Sequence, residues 1–239
     1  MQTSAQSNEQ TDAPIELPGY DSILLAVDSS DHSNRGTIEA IELACSYESQ
    51  LTAAHVYAAK LHDLRFRQME GGLPEQFREE QELERQRDVH DDLITKGLSI
   101  ITDSYLDQVD QVAKERLTNI RRCSLEGKNY RELVNETNNG NYDLLVIGAL
   151  GLGAIKSSRL GTVCQRVVRR SNIDTLVIKE PTRSINEGPI VVGIDGSAKA
   201  YGGLLTARSL AKQGDVPGKV VSAFDPYYHY APLNPIAGG

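Results

Sequence analysis

The sequence predicts an α/β protein built on a doubly wound open parallel sheet, and three observations carry that expectation. Short continuous apolar runs recur at Ser22–Asp28, Leu51–Tyr57, Asp143–Gly148 and Asp174–Lys179. Runs of this kind suit strands covered on both faces, as in a parallel sheet. Helical spacing of apolar residues fills the intervals between them, and strands alternating with helices argue for βαβ units. The third observation is glycine placement: Gly148 and Gly151 follow the clearest strand, and Gly161 opens the next helix.

The chain has 239 residues, room for one or two domains. Residues 1–19 are polar, carry two prolines and lack the basic start and apolar stretch of a signal peptide, so they read as a disordered tail. The first strand, Ser22–Asp28, is followed by Ser29 and Ser30, good N-cap types, and then by Ile38, Ile41 and Leu43–Ala44 at helical spacing. Leu51–Tyr57 closes the first βαβ unit. Gly71–Pro74 is a break, and the segment from Glu75 to Asp88 is nearly all charged or amide. Val89, Leu93, Gly97, Ile100 and Ile101 then recur at three to four residues. We read one long helix over 75–107, its second half packed on the sheet and its first half in solvent or acting as a mobile lid.

A weaker strand near Ile120–Leu125 precedes a helix around Tyr130–Asn138. The strand Asp143–Gly148 leads through the Gly-rich segment to a helix over about Gly161–Arg170, and Asp174–Lys179 supplies a fifth strand. Residues 181–188 form a linker. Beyond it, Val192-Gly-Ile-Asp-Gly-Ser197 aligns with Leu25-Ala-Val-Asp-Ser-Ser30, and the same shift brings Gly36 onto Gly203, Ala40 onto Ala207 and Leu43 onto Leu210. The expected domains are thus 20–180 and a partial second copy at 189–239, strand–helix–strand, ending in a loop-like stretch from Asp225.

Composition narrows the partners. A net charge of −8 disfavours nucleic acid, and the basic cluster of Lys114, Arg116, Arg121, Arg122, Lys128 and Arg131 reads as a solvated face. No apolar run reaches the roughly 18 residues of a membrane span. Cys45, Cys123 and Cys164 form no C-x-x-C pair, so neither a metal site nor a disulfide framework is indicated and a reducing, cytoplasmic setting fits.

Chemistry concentrates at Gly148-Ala-Leu-Gly151 and Gly161-Thr162. The glycines let backbone approach a ligand without interference from Cβ, and the opening turn of the following helix presents free N–H groups to an anion. The spacing matches neither the Walker loop nor the G-x-G-x-x-G dinucleotide fingerprint. His55 reads as a sheet-end histidine rather than a catalytic base. No catalytic constellation emerges, and an enzymatic role is not the leading expectation.

The pattern G-x2-G-x9-G-[ST], with Ala26-Val-Asp28-Ser-Ser30, Ala54-His-Val56, Asp143–Gly148 and Leu176-Val-Ile-Lys179, resembles the universal stress protein family, over about Tyr20–Glu180 and again over Pro189–Asp225. The resemblance implies strand order 3-2-1-4-5 and bound ATP or AMP, with Mg2+ as an optional companion of the phosphates. It implies that Ala26, Val27 and Asp28 line an adenine pocket with Val56, that Ile147 and Gly148 lie beneath the ribose, and that Gly151 shapes the phosphate turn. Gly161, Thr162, Val163 and Cys164 would meet the phosphates. Leu150 stands where members often carry a polar or basic side chain, and Cys164 where a small hydroxyl or alanine is common, which implies lowered phosphate affinity. A homodimer through the last strand, or a pseudo-dimer within the chain, is also implied. Three functions remain open: a nucleotide-binding regulator of the stress response, a slow ATP hydrolase or adenylating enzyme, and a ligand-free dimerisation scaffold.

Overall fold

The computed structural model describes residues 15–75, 79–116, 119–153 and 159–223. The expected tail at 1–19 falls outside these for residues 1–14, as does the whole of the loop-like stretch expected from Asp225. Two compact units divide the chain: Tyr20–Ser184, and a second that holds the residues from Ile185 onward.

The larger unit holds a five-stranded parallel sheet of order β3-β2-β1-β4-β5. Its strands are β1 (Ser22–Ala26), β2 (Gln50–Tyr57), β3 (Ile120–Glu126), β4 (Leu144–Gly148) and β5 (Asp174–Ile178). The register sets Ala26 beside Ala54 and Leu25 beside Val146. The helices are α1 (Asp31–Tyr47), α2 (Ala59–Met69), α3 (Glu80–Glu115), α4 (Asn129–Asn139) and α5 (Thr162–Val168).

Alternate residues of the central strands serve opposite faces, which explains why their sequences are continuously apolar. Leu24, Ala26, Ala54, Val56, Leu145 and Ile147 pack with Leu133 of α4 and with Cys164 and Val167 of α5. On the other face Gly36 brings α1 close to Leu25, Val146 and Ile178, where an added Cβ would sit 3.4 Å from Ile178 Cγ1. At the amino rim the Asp143 carboxylate accepts the Asp21 N–H at 2.7 Å and ties the start of β1 to β4.

The segment after β2 corrects the sequence reading in three respects. Residues 59–69 form a helix of their own, α2, which the sequence reading had not separated. The amino half of α3 does not stand alone in solvent: it packs on α2 through a Phe66–His90 ring stack at 4.1 Å, and Arg87 pairs at 2.7 Å with Glu70, just past the end of α2. The expected apolar stripe faces outward, with Val89, Leu93 and Ile100 at 50%, 65% and 68% exposure. The buried face is instead Thr102, Leu106, Val109 and Ala113, also at helical spacing. Two members of the basic cluster are paired with acids: Arg122 with Asp107 and Asp110, and Arg116 with Glu42 at 3.7 Å.

In the second unit, β6 (Ile190–Gly193) and β7 (Gly218–Val221) pair in parallel, joined by α6 (Ala198–Gln213). Among the described residues no helix is long and apolar enough to cross a membrane.

Candidate functional site

The strand order reverses between β1 and β4: the chain builds outward from β1 to β2 and β3, then crosses back to add β4 on the other side of β1, and a crevice opens beyond the carboxyl ends of these strands. The residues leaving β1 shape one wall. Asp28 Oδ1 accepts the Ser30 N–H at 3.1 Å and lies 2.6 Å from Ser30 Oγ. Ser30 caps α1 by accepting the Ser33 N–H at 3.2 Å, and its Oγ lies 3.1 Å from the Leu150 carbonyl oxygen. One serine therefore links the β1–α1 junction to the Gly-rich segment after β4. Ser29 between them adopts φ 60°, a left-handed conformation uncommon for a non-glycine residue.

Ser30→Ala is expected to cost about 1 kcal/mol through the lost cap alone. It should also free Asp28 to swing. Urea denaturation of the variant checks the first effect, and an unchanged midpoint would contradict it.

The second wall is the Gly-rich segment. The sequence reading took these glycines as allowing both a sharp turn and a close approach without Cβ interference; in the structure it is the space for a Cβ that is short. None of Gly148, Gly151 and Gly161 is among the glycines with positive φ. A Cβ on Gly151 would lie 2.5 Å from Asp28 Oδ2, and one on Gly148 would lie 3.0 Å from His32 Cβ and 3.1 Å from the Ser33 backbone N. Gly161 is the N-cap of α5 with φ −70° and offers no side-chain acceptor to the opening turn. Its own N–H donates to the Ala149 carbonyl at 2.7 Å, which folds the segment back on itself.

A cavity of about 650 Å³ occupies this crevice. It brings together every residue singled out from the sequence. Ala26, Val27 and Asp28 come from the end of β1, and Val56 from β2. Ile147, Gly148 and Gly151 come from the end of β4 and its loop, and Gly161, Thr162, Val163 and Cys164 from the start of α5. The sequence reading missed the wall contributed by α3, namely Leu98, Ile101 and Tyr105, and the contribution of Asn129 and Leu133 from α4. Leu98 and Ile101 do belong to an apolar run, but nothing local indicates that it meets a cavity formed some fifty residues on.

The electrostatics are mild. Burial pushes the His55 imidazole below its ordinary value, with the Asp28 charge opposing, so the ring is neutral near pH 7. Burial also raises the Cys164 thiol, which keeps it protonated and unreactive. Among the described residues no group of three His, Cys, Asp or Glu side chains is placed to hold a metal ion. The arrangement offers an apolar slot, one carboxylate and a turn of backbone N–H groups. That combination suits a planar apolar ring joined to an anion.

Residues 19–179 match the family model described as Universal stress protein family, and the chain belongs to that family. It is 27% identical over 164 residues to the universal stress protein MJ0531 of Methanocaldococcus jannaschii, covering 69% of this chain and 85% of that one. It is 22% identical over 160 residues to the universal stress protein YxiE of Bacillus subtilis, covering 67% and 99%. Among solved structures, the universal stress protein UspA from Lactobacillus plantarum superposes with TM-score 0.51 at 20% identity, covering 67% of this chain and 99% of that one. A universal stress protein from Archaeoglobus fulgidus gives TM-score 0.58 at 16% identity, covering 89% and 70%. These two structural likenesses concern the fold.

Proposed function

We propose that this member of the universal stress protein family binds an adenine nucleotide, ATP or AMP, in the crevice beyond β1 and β4, and that binding governs its contacts with partners in the stress response. The observation that carries the reading is the Gly151–Asp28 approach, a place where any side chain on residue 151 would fill the crevice. Val27, Val56 and Ile147 offer apolar surface to a purine, and Asp28 stands beside them to accept from its edge. Thr162 and Val163 supply backbone N–H groups, and Thr162 a hydroxyl, toward the phosphates. Hydrogen bonds to a charged acceptor contribute about 1.5–3 kcal/mol each, enough for a few to hold a phosphate without lysines. Mg2+, where it accompanies ATP, would arrive with the phosphates.

The experiment is direct. Full-length chain purified without added nucleotide, then denatured, is expected to release AMP or ATP detectable by mass spectrometry. Recovery of none, together with no uptake of added ATP by the folded chain, contradicts the reading and favours the scaffold alternative.

Assembly follows from the sheet edge. Among the described residues β5 pairs only with β4, so its outer edge is free to meet a second copy. We expect a homodimer through this strand, and Val177→Lys should shift it to monomer in light scattering; an unchanged mass would refute that interface. The second unit reads as a partial second copy of the same fold. Its β6–α6 junction repeats the β1–α1 junction in detail: Gly196 takes φ 83° where Ser29 takes 60°. The Asp195 carboxylate accepts the Ser197 N–H at 2.9 Å, and Ser197 caps α6 by accepting from Ala200. The Archaeoglobus likeness also runs over 89% of this chain, well past the family match. A cytoplasmic setting goes with this reading.

A further inference from the structure

We propose that His55 selects the purine: its Nε2, held as a hydrogen-bond acceptor by Thr102, recognises the exocyclic amino group of adenine and rejects an oxo group at the same position. The inference rests on the adenine-nucleotide reading above and adds to it a residue on β2 and a helix, α3, that had no part in it.

The tautomer follows from two contacts. Thr102 Oγ1 lies 2.9 Å from the Leu98 carbonyl oxygen and 2.9 Å from His55 Nδ1. A carbonyl can only accept, so the single hydroxyl proton of Thr102 is committed to Leu98. Thr102 Oγ1 must then accept from the ring, which places the proton on Nδ1. The other tautomer would leave the Thr102–Leu98 contact without a proton between its oxygens. Nε2 is left with a lone pair and no proton.

The ring is also fixed in place. Tyr105, one turn along from Thr102, meets it edge-on with centroids 5.0 Å apart. His55, Tyr105 and Ile101 all line the cavity, beside Asp28 and Val56. The Asp28 charge acts on the imidazole, and burial keeps that imidazole neutral, so the lone pair persists at neutral pH. Thr102 is 1% exposed, which shields the anchoring bond from competing water.

The chemistry that fits is specific. Asp28 and His55 both line the cavity, the Asp28 charge acts on the imidazole, and each carries lone pairs free to accept. A 6-amino purine offers two N–H donors there, whereas a 6-oxo purine would set its oxygen against acceptors and leave them unpaired. Buried polar groups left unpaired are the strongest source of discrimination between close analogues. The role is one of specificity; no proton is transferred.

The test compares ATP with ITP, which differ at this position, by calorimetric titration of the full chain and of His55→Ala. The parent is expected to favour ATP by at least about tenfold, and His55→Ala to reduce that preference to about threefold or less while still binding both. Loss of folding in the variant is met by a second measurement on the parent. In the 15N-labelled chain His55 Nε2 should resonate as an unprotonated nitrogen and move upfield on addition of ATP but not of ITP. Thr102→Val, which leaves the ring but frees its tautomer, should lower the preference as well. A selective parent whose preference survives His55→Ala overturns the inference and leaves nucleotide binding intact. So does a parent indifferent to the two nucleotides, or a protonated Nε2. A parent that binds neither overturns the nucleotide reading itself, and this inference with it.

Discussion

Gly151→Val is expected to weaken ATP binding at least tenfold, about 1.4 kcal/mol, while leaving the fold intact. The Cβ alone would stand 2.5 Å from Asp28 Oδ2, and Asp28 cannot withdraw freely because Ser30 holds its other oxygen at 2.6 Å. The two valine methyls would then extend into the space between β1 and β4. Gly151 is itself exposed, so no core contact is lost. Calorimetry with ATP, beside a thermal melt of the same sample, separates the two effects. A variant that binds like the parent places the nucleotide elsewhere. Gly161→Val is expected to act less strongly than its place in the motif implies, since its φ of −70° suits any residue and its Cβ would meet only the Ala149 carbonyl oxygen, at 3.2 Å.

Gly148→Val should act on stability first. Here the added Cβ meets backbone: Ser33 N at 3.1 Å and His32 C at 3.2 Å, both in the opening turn of α1. A helix start cannot rotate away as a side chain can. The helix must shift, taking with it the Ser33 hydroxyl that accepts the Asp28 N–H at 3.1 Å. Overpacking of this kind costs about 1–3 kcal/mol. A lowered urea midpoint with an unchanged m-value is the expected result. The displaced Asp28 should cost nucleotide affinity in addition, so Gly148→Val and Gly151→Val should separate on stability and agree on binding. A Gly148→Val variant as stable as the parent would contradict the close packing of α1 on β4.

The strands were legible because burial on both faces leaves a periodicity-free apolar signature, as in Leu144-Leu-Val-Ile147. The crevice was legible because three glycines and Asp28 mark where strand order reverses. Which of the two reasons for those glycines applies was not. Spacing cannot tell a residue that needs left-handed backbone from one whose Cβ has no room, and here the second applies.

The region between β2 and β3 was the least legible. Val89, Leu93 and Ile100 have helical spacing yet face outward, because α3 buries a different face. The face that does pack, Thr102–Leu106–Val109–Ala113, contains a threonine and an alanine and so carries little apolar signal. The α2 sequence, with Arg65, Arg67, His62 and Gln68 interleaved among its apolar residues, gives no clear stripe, and its N-cap Ala58 makes no side-chain bond. The α3 wall of the cavity inherits this obscurity. Tyr105 and Ile101 reach the site through tertiary packing, and a motif written along one strand–loop–helix segment does not contain them.

The most direct test is to map where the nucleotide sits. Photolabelling of the full chain with 8-azido-ATP at saturating concentration, followed by protease digestion and mass spectrometry, reads the position of the purine. The label is expected on peptides carrying residues 54–57 or 98–105, and excess ATP should suppress it. Label confined to residues 190–221, or no ATP-protected label at all on a folded chain, would contradict a purine seated beside β2 and α3.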